Sequence, residues 1–165
     1  MNLLFLAIVP VTVVILYIYF KDKYGKEPIK ILAISFLLGA TVSIILTFII
    51  GYIASSLVPL TDVKSVSQQF IKAFFTVALV EEFSKYIIVR FYAQKNNEFN
   101  EPFDGIVYAV MVSMGFAALE NILYTYQYGF GVGVTRAFTA VPAHATFGII
   151  TGHCTHNSCD SLYLF

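Results

Sequence analysis

The sequence predicts an all-α fold, a polytopic transmembrane helix bundle with about five spans. Two observations carry the prediction. Hydrophobic residues make up 58% of the 165 and charged residues only 12%, against about 25% in an ordinary soluble domain. The apolar residues are also gathered into long runs divided by short polar stretches, and a helix that crosses a bilayer needs about 20 of them in succession. With a mean hydropathy of +0.78, a soluble core of this size has too little interior for its apolar side chains, so the lipid bilayer is the expected solvent. The formal net charge is zero, which removes the electrostatic case for nucleic acid as a partner.

The first span is residues 3–20. It lacks the positive n-region and small-residue cleavage site of a signal peptide, so it reads as a retained helix. The polar stretch 21–30 leads to a second span, 31–58, long enough to tilt or to fray before Pro59. Residues 61–72 are polar, but Val63, Val66, Phe70 and Ile71 fall near helical spacing, which fits a short interfacial helix. The third span is 73–92, the polar loop is 93–102, and the fourth span is 103–126. Gly129, Gly131 and Gly133 read as a flexible turn before a shorter fifth run, 137–152. Residues 1–152 thus make one membrane domain. The tail 153–165 does not read as a helix, and the chain is expected to be truncated or frame-disturbed there.

Lysine and arginine placement sets the orientation. Lys21, Lys23, Lys26 and Lys30 lie in the first loop, and Arg90 and Lys95 at the third. The opposite side carries only Lys64, Lys72 and Arg136. The N-terminus is therefore expected outside the cytoplasmic membrane, with the tail inside, where Cys154 and Cys159 stay reduced.

Ionisable residues within spans cost about 2.5–3.5 kcal/mol each on insertion scales. The third span carries Glu81, Glu82 and Lys85, the fourth Glu120 beside Asn121, and the fifth His144. Any one of them alone reads as a polar anchor between helices. Together they share a depth: at about 1.5 Å per residue, Glu81, Glu120 and His144 all lie roughly 9–13 Å below the outer surface. One shared site requires this; unrelated anchors do not. Carboxylates and imidazole bind zinc and similar divalent ions, and a metal or a carboxylate base alone can activate water against an amide. Successive helical residues point about 100° apart, so Glu81 and Glu82 do not both face one small ion. Glu81 is assigned to the site as base or ligand. Glu82 is expected to support it, pairing with Lys85 three residues on.

These residues resemble a known family. Glu81-Glu82-Phe83-Ser84-Lys85 looks like the EExxK motif of the PrsW family of intramembrane metalloproteases. The segments 103–108 (FDGIVY) and 115–121 (GFAALEN) match its second block, with the FxxxE core at Phe116 and Glu120. His144-Ala145-Thr146-Phe147-Gly148 resembles its histidine block. The likeness runs from about Asp22, through Glu27-Pro28, to Gly152. The family is related to the CAAX prenyl endopeptidase and bacteriocin-immunity group. The resemblance implies a membrane-embedded peptidase acting on a single-pass membrane protein, such as an anti-sigma factor, near the extracytoplasmic face. Carried over residue by residue, it makes Glu81, Glu82 and His144 the catalytic candidates. Glu81, Glu120 and His144 are the metal candidates, with zinc the expected ion, and Lys85, Asn121 and Phe116 support them. Family members usually continue with more apolar sequence after the histidine block, where this chain has its tail.

Smaller signals receive plainer readings. His153, Cys154, His156 and Cys159 lack the paired spacing of structural zinc sites. Gly148 and Gly152 fit close helix packing, as do Gly115, Ala117 and Ala118. Asp104 suits a helix cap, and Tyr124, Tyr126 and Tyr128 an interfacial aromatic belt. Two other functions compete with proteolysis: an ion-coupled transport protein, since buried carboxylates mark ion paths, and a non-catalytic binding or immunity protein. The absence of repeat symmetry argues against transport. A prenyl-protein endopeptidase is a closer variant, and the second block argues against it.

Overall fold

The structure is a computed structural model that describes residues 3–22, 25–58, 65–96, 99 and 101–162; the side chains of Pro102 and of residues 156–162 are outside the description. Every regular element among the described residues is helical. Helix α1 is Leu3–Lys21 and α2 is Ile29–Leu57, with a π-helical turn at Gly39–Ser43. Helix α3 covers residues 66–91, with a π-helical turn at Ala73–Ala78. Helix α4 is Pro102–Tyr128, the short α5 is Phe130–Phe138, and α6 is Ala140–Leu162. By length and composition, Leu3–Lys21, Ile29–Leu57 and Phe103–Tyr128 qualify as membrane spans. Helices α3 and α6 complete the bundle and carry the charged and polar residues that lower their hydropathy.

Helix α4 is the axis. Its residues are buried without a break from Val107 to Ala118, the pattern of a helix apolar all round. It packs chiefly against α6 and α2, and also against α1. Small residues let backbones meet. A Cβ on Gly39 would lie 2.0 Å from the Val112 carbonyl oxygen, and one on Gly115 2.0 Å from that of Phe36, so α2 and α4 cross backbone to backbone. A Cβ on Gly152 would lie 2.4 Å from the Gly105 oxygen, where α6 crosses α4. These are the close approaches expected of Gly115 and Gly152. Phe5, Phe20, Phe48 and Leu57 are exposed on the outer faces of α1 and α2, as befits helices solvated by lipid.

Several local expectations need correction. The helix expected near residues 61–72 begins at Val66 and runs without interruption into the third span; Val63 and Pro59 lie outside the described residues. The flexible glycine turn is narrower than expected. Gly129, at φ 85°, breaks the chain, but Gly131 and Gly133 are inside α5. The largest correction concerns the tail. Helix α6 begins at Ala140 and continues to Leu162. It meets α4 at Gly152, and the Thr155 carbonyl accepts a 2.8 Å hydrogen bond from Gln94 Nε2, so packing contacts reach beyond the apolar run. At the start of α4, Asp104 and Glu101 form a reciprocal capping box, the Asp104 carboxylate accepting from the Glu101 N–H at 2.7 Å.

Candidate active site

Three helices converge where α3, α4 and α6 meet. Glu81 stands on α3 just after its π-helical turn, Glu120 on α4, and His144 one turn into α6. One ligand atom from each lies within 4.8 Å of the others. His144 is buried, and both carboxylates are partly buried. Nothing in local sequence brings Glu81 and Glu120 together; the packing of α3 against α4 does.

A chain of polar contacts runs through the cluster. Glu120 Oε2 meets His144 Nε2 at 3.0 Å. His144 Nδ1 meets Lys85 Nζ at 2.9 Å, and Lys85 Nζ donates to Glu82 Oε1 at 2.5 Å. An ammonium has donors only, so Nδ1 is the acceptor of that contact, and the proton of a neutral imidazole faces Glu120. Lys85 is 2% exposed, and its ammonium also lies 4.5 Å from the centre of the Phe116 ring, which packs edge-on against His144 at 5.5 Å. Phe116 thus walls both the cation and the imidazole. Glu82 keeps one oxygen, Oε2, buried and without a hydrogen-bond partner among the described residues.

Glu81 is different. Among the described residues, no hydrogen bond or ion pair engages its carboxylate, and it lines two clefts at once. One, of about 390 Å³, lies between α3 and α6 and is walled by Phe74, Ala78, Ala143 and Phe147 beside Glu81, Glu82 and His144. The other, of about 510 Å³, lies between α2, α3 and α4, and Thr47, Ser55, Thr76 and Glu120 share it with Glu81. The α3 backbone at this point is held by Ser84, whose hydroxyl reaches the Glu81 carbonyl at 2.8 Å and contacts Ser43 and Thr47 of α2 at 2.9 and 2.7 Å.

Two residues not among the candidates read from the sequence belong to this region. Ser84 had no signal except its place inside the EExxK stretch. Arg136 read only as a loop charge, yet its guanidinium donates to Glu120 Oε2 at 2.6 Å and to Asn121 Oδ1 at 2.8 Å. Asn121 is buried and turns its amide nitrogen toward the Ala7 carbonyl at 3.4 Å, tying α4 to α1. His153 and Cys154 are exposed on the far stretch of α6, away from this cluster, and the side chains of His156 and Cys159 lie outside the described residues.

Two carboxylates and an imidazole fit a divalent metal by chemistry as well as by proximity. The Glu82 carboxylate lies 4.0 Å from His144 Nδ1, beyond hydrogen-bond reach, with the Lys85 ammonium touching both.

Comparison with known proteins bears on the family of the chain. The family model described as PrsW family intramembrane metalloprotease matches residues 27–156. The chain is 38% identical over 151 residues to Protease PrsW of Geobacillus kaustophilus, covering 92% of this chain and 64% of the relative. It is 39% identical over 153 residues to Protease PrsW of Oceanobacillus iheyensis, covering 93% and 67%. Against Protease PrsW of Bacillus subtilis it is 35% identical over 147 residues, covering 88% and 64%. The chain thus spans 64% to 67% of the length of these curated relatives. No solved structure matches it. With its three ordered motifs inside a match that covers most of its length, the chain belongs to the PrsW family of intramembrane metalloproteases.

Proposed function

We propose that this chain is the proteolytic part of a membrane-embedded endopeptidase that hydrolyses a peptide bond of a single-pass membrane protein, such as an anti-sigma factor, near the extracytoplasmic face. The observation that carries the reading is the meeting of Glu81, Glu120 and His144, from three helices, at the wall of two clefts. The α3–α6 cleft, apolar apart from its acids and His144, suits substrate side chains arriving from lipid.

Hydrolysis adds the oxygen of water to the amide carbonyl carbon, breaks the C–N bond and delivers a proton to the leaving nitrogen. Glu81, whose carboxylate no side chain engages among the described residues, would as base take the proton of the attacking water and return it to the amine. Glu120 and His144 would hold a divalent ion, with zinc the fitting choice, and Glu81 would either complete its ligands or serve as the base beside it; the ion would supply Lewis acidity and a more acidic water. Lys85 offsets the negative charge of Glu82 and orients the imidazole. Positive loops place the first and third connections in the cytoplasm and the N-terminus outside, with the site toward the outer leaflet.

The test is cleavage of single-pass membrane substrates co-expressed with the chain, or with its Glu81→Gln or His144→Ala variant, at equal membrane abundance. Both variants are expected to lose the cleaved fragment, by at least about 100-fold for the proton-transfer group. Continued cleavage by both would sink the mechanism.

A further inference from the structure

We propose that Arg136 is a positioning residue for this reaction, holding the Glu120 carboxylate toward Glu81 and His144 from the short helix α5. The inference rests on the proteolytic reading and adds to it a residue that no motif contains.

The guanidinium is held on three sides. Nη2 donates to Glu120 Oε2 at 2.6 Å, Nε donates to Asn121 Oδ1 at 2.8 Å, and the group lies 4.3 Å from the centre of the Tyr124 ring. The Arg136 and Glu120 side chains are 14% and 17% exposed, so water competes weakly for either. Glu120 and Asn121 are successive residues and diverge on α4; a planar fork spans both, where an ammonium is a single point charge. The oxygen that Arg136 grips is the one His144 Nε2 meets at 3.0 Å. Among the described residues no hydrogen bond engages Oε1, which stays available to a ligand.

Charge gives a second reason. The cluster holds three carboxylates, Glu81, Glu82 and Glu120. Lys85 sits against Glu82, which leaves Glu81 and Glu120 facing each other with Arg136 as the cation on the Glu120 side. Without it, repulsion from Glu81 turns Glu120 away and the ligand set opens. The device depends on local folding. Gly129 breaks the chain, α5 turns back over the end of α4, and Gly133 packs so tightly on Thr125 and Leu6 that a Cβ would lie 2.7 Å from the Leu6 side chain. That contact returns Arg136 to a residue 16 positions earlier.

The experiment uses the whole chain, purified in detergent, with Arg136→Ala and Arg136→Lys variants. Cobalt(II) titration followed by visible absorption reads the ligand set without any substrate. Cleavage of a single-pass reporter protein gives kcat and KM, and thermal unfolding reports stability. In Arg136→Ala, cobalt affinity and kcat are expected to fall by about 10- to 100-fold with KM near that of the parent, and Arg136→Lys to recover part of both. An Arg136→Ala protein that binds cobalt and turns over like the parent, with or without a lower Tm, overturns the proposal and leaves the proteolytic reading standing. A parent chain that neither binds cobalt nor cleaves overturns that reading, and the role of Arg136 with it.

Discussion

Lys85 is the residue on which the polar cluster turns. Its ammonium is almost fully buried, and its partners are Glu82, His144 and the face of Phe116. The EExxK spacing made the pairing with Glu82 legible, because residues three apart share a helical face. The contact with His144 was not legible, since it spans 59 positions. Breaking a buried pair from one side leaves an uncompensated charge and costs about 3–5 kcal/mol, whereas removing both partners is far milder. Lys85→Met is therefore expected to lower the Tm in detergent more than the double variant Lys85→Met/Glu82→Gln. Equal losses would show that the pair stabilises nothing. Arg136 illustrates the opposite limit of sequence reading. Lying after three glycines in a short connection, it looks like a solvated loop charge, and only the α5 contact with α4 turns it toward Glu120.

Among the elements, the two π-helical turns are what helical periodicity alone does not reveal. A π turn bonds each N–H five residues back and shifts the register of everything after it. In α3 it ends at Ala78, just before the Glu81–Lys85 stretch. In α2 it begins at Gly39, the residue on which α4 presses most closely. A methyl group on Gly39 cannot be accommodated without parting the two helices. Gly39→Ala is expected to destabilise by about 1–3 kcal/mol, seen as a lower Tm in detergent. The comparison is Gly131→Ala in α5, where a Cβ meets nothing within 4 Å. There alanine is expected to be neutral or to stabilise by about 0.5–1 kcal/mol, since it restrains the unfolded chain. The reverse order would mean that the α2–α4 crossing is looser than described. Helix α6 makes the same point about packing: a polar tail that reads poorly as a helix continues as one, with Gln94 after α3 bonded to its Thr155 carbonyl.

For the molecule as a whole, the side of the membrane on which the site opens follows from orientation. On the orientation proposed from the loop lysines, residues 21–30 face the cytoplasm and the α4–α5 connection lies outside. With Cys154 and Cys159 changed to serine, Tyr128→Cys is expected to react with a membrane-impermeant maleimide in intact cells. Lys26→Cys is expected to react only after the cells are opened. Both positions are exposed, so access and not burial decides the result. The opposite pattern would invert the bundle and move the cut to the cytoplasmic side.

Sequence alone determined the solvent and the helical class, and it set an expected depth for the critical residues. Each follows from composition or from counting along one helix: apolar runs must meet lipid, and a fixed rise per residue converts position into depth. It also picked out Glu81, Glu120 and His144 as sharing a level, and the EExxK, FxxxE and histidine blocks as one family's pattern. Tertiary structure decided what lies beside what at that level. Which faces of α3, α4 and α6 converge depends on glycine crossings, π turns and the return of α5. These are contacts between residues far apart in the chain, and no single helix's periodicity contains them. The separate fates of Glu81, open to two clefts, and Glu82, committed to Lys85, were set in outline by the helical angle between neighbours and in detail by the walls that packing placed around them.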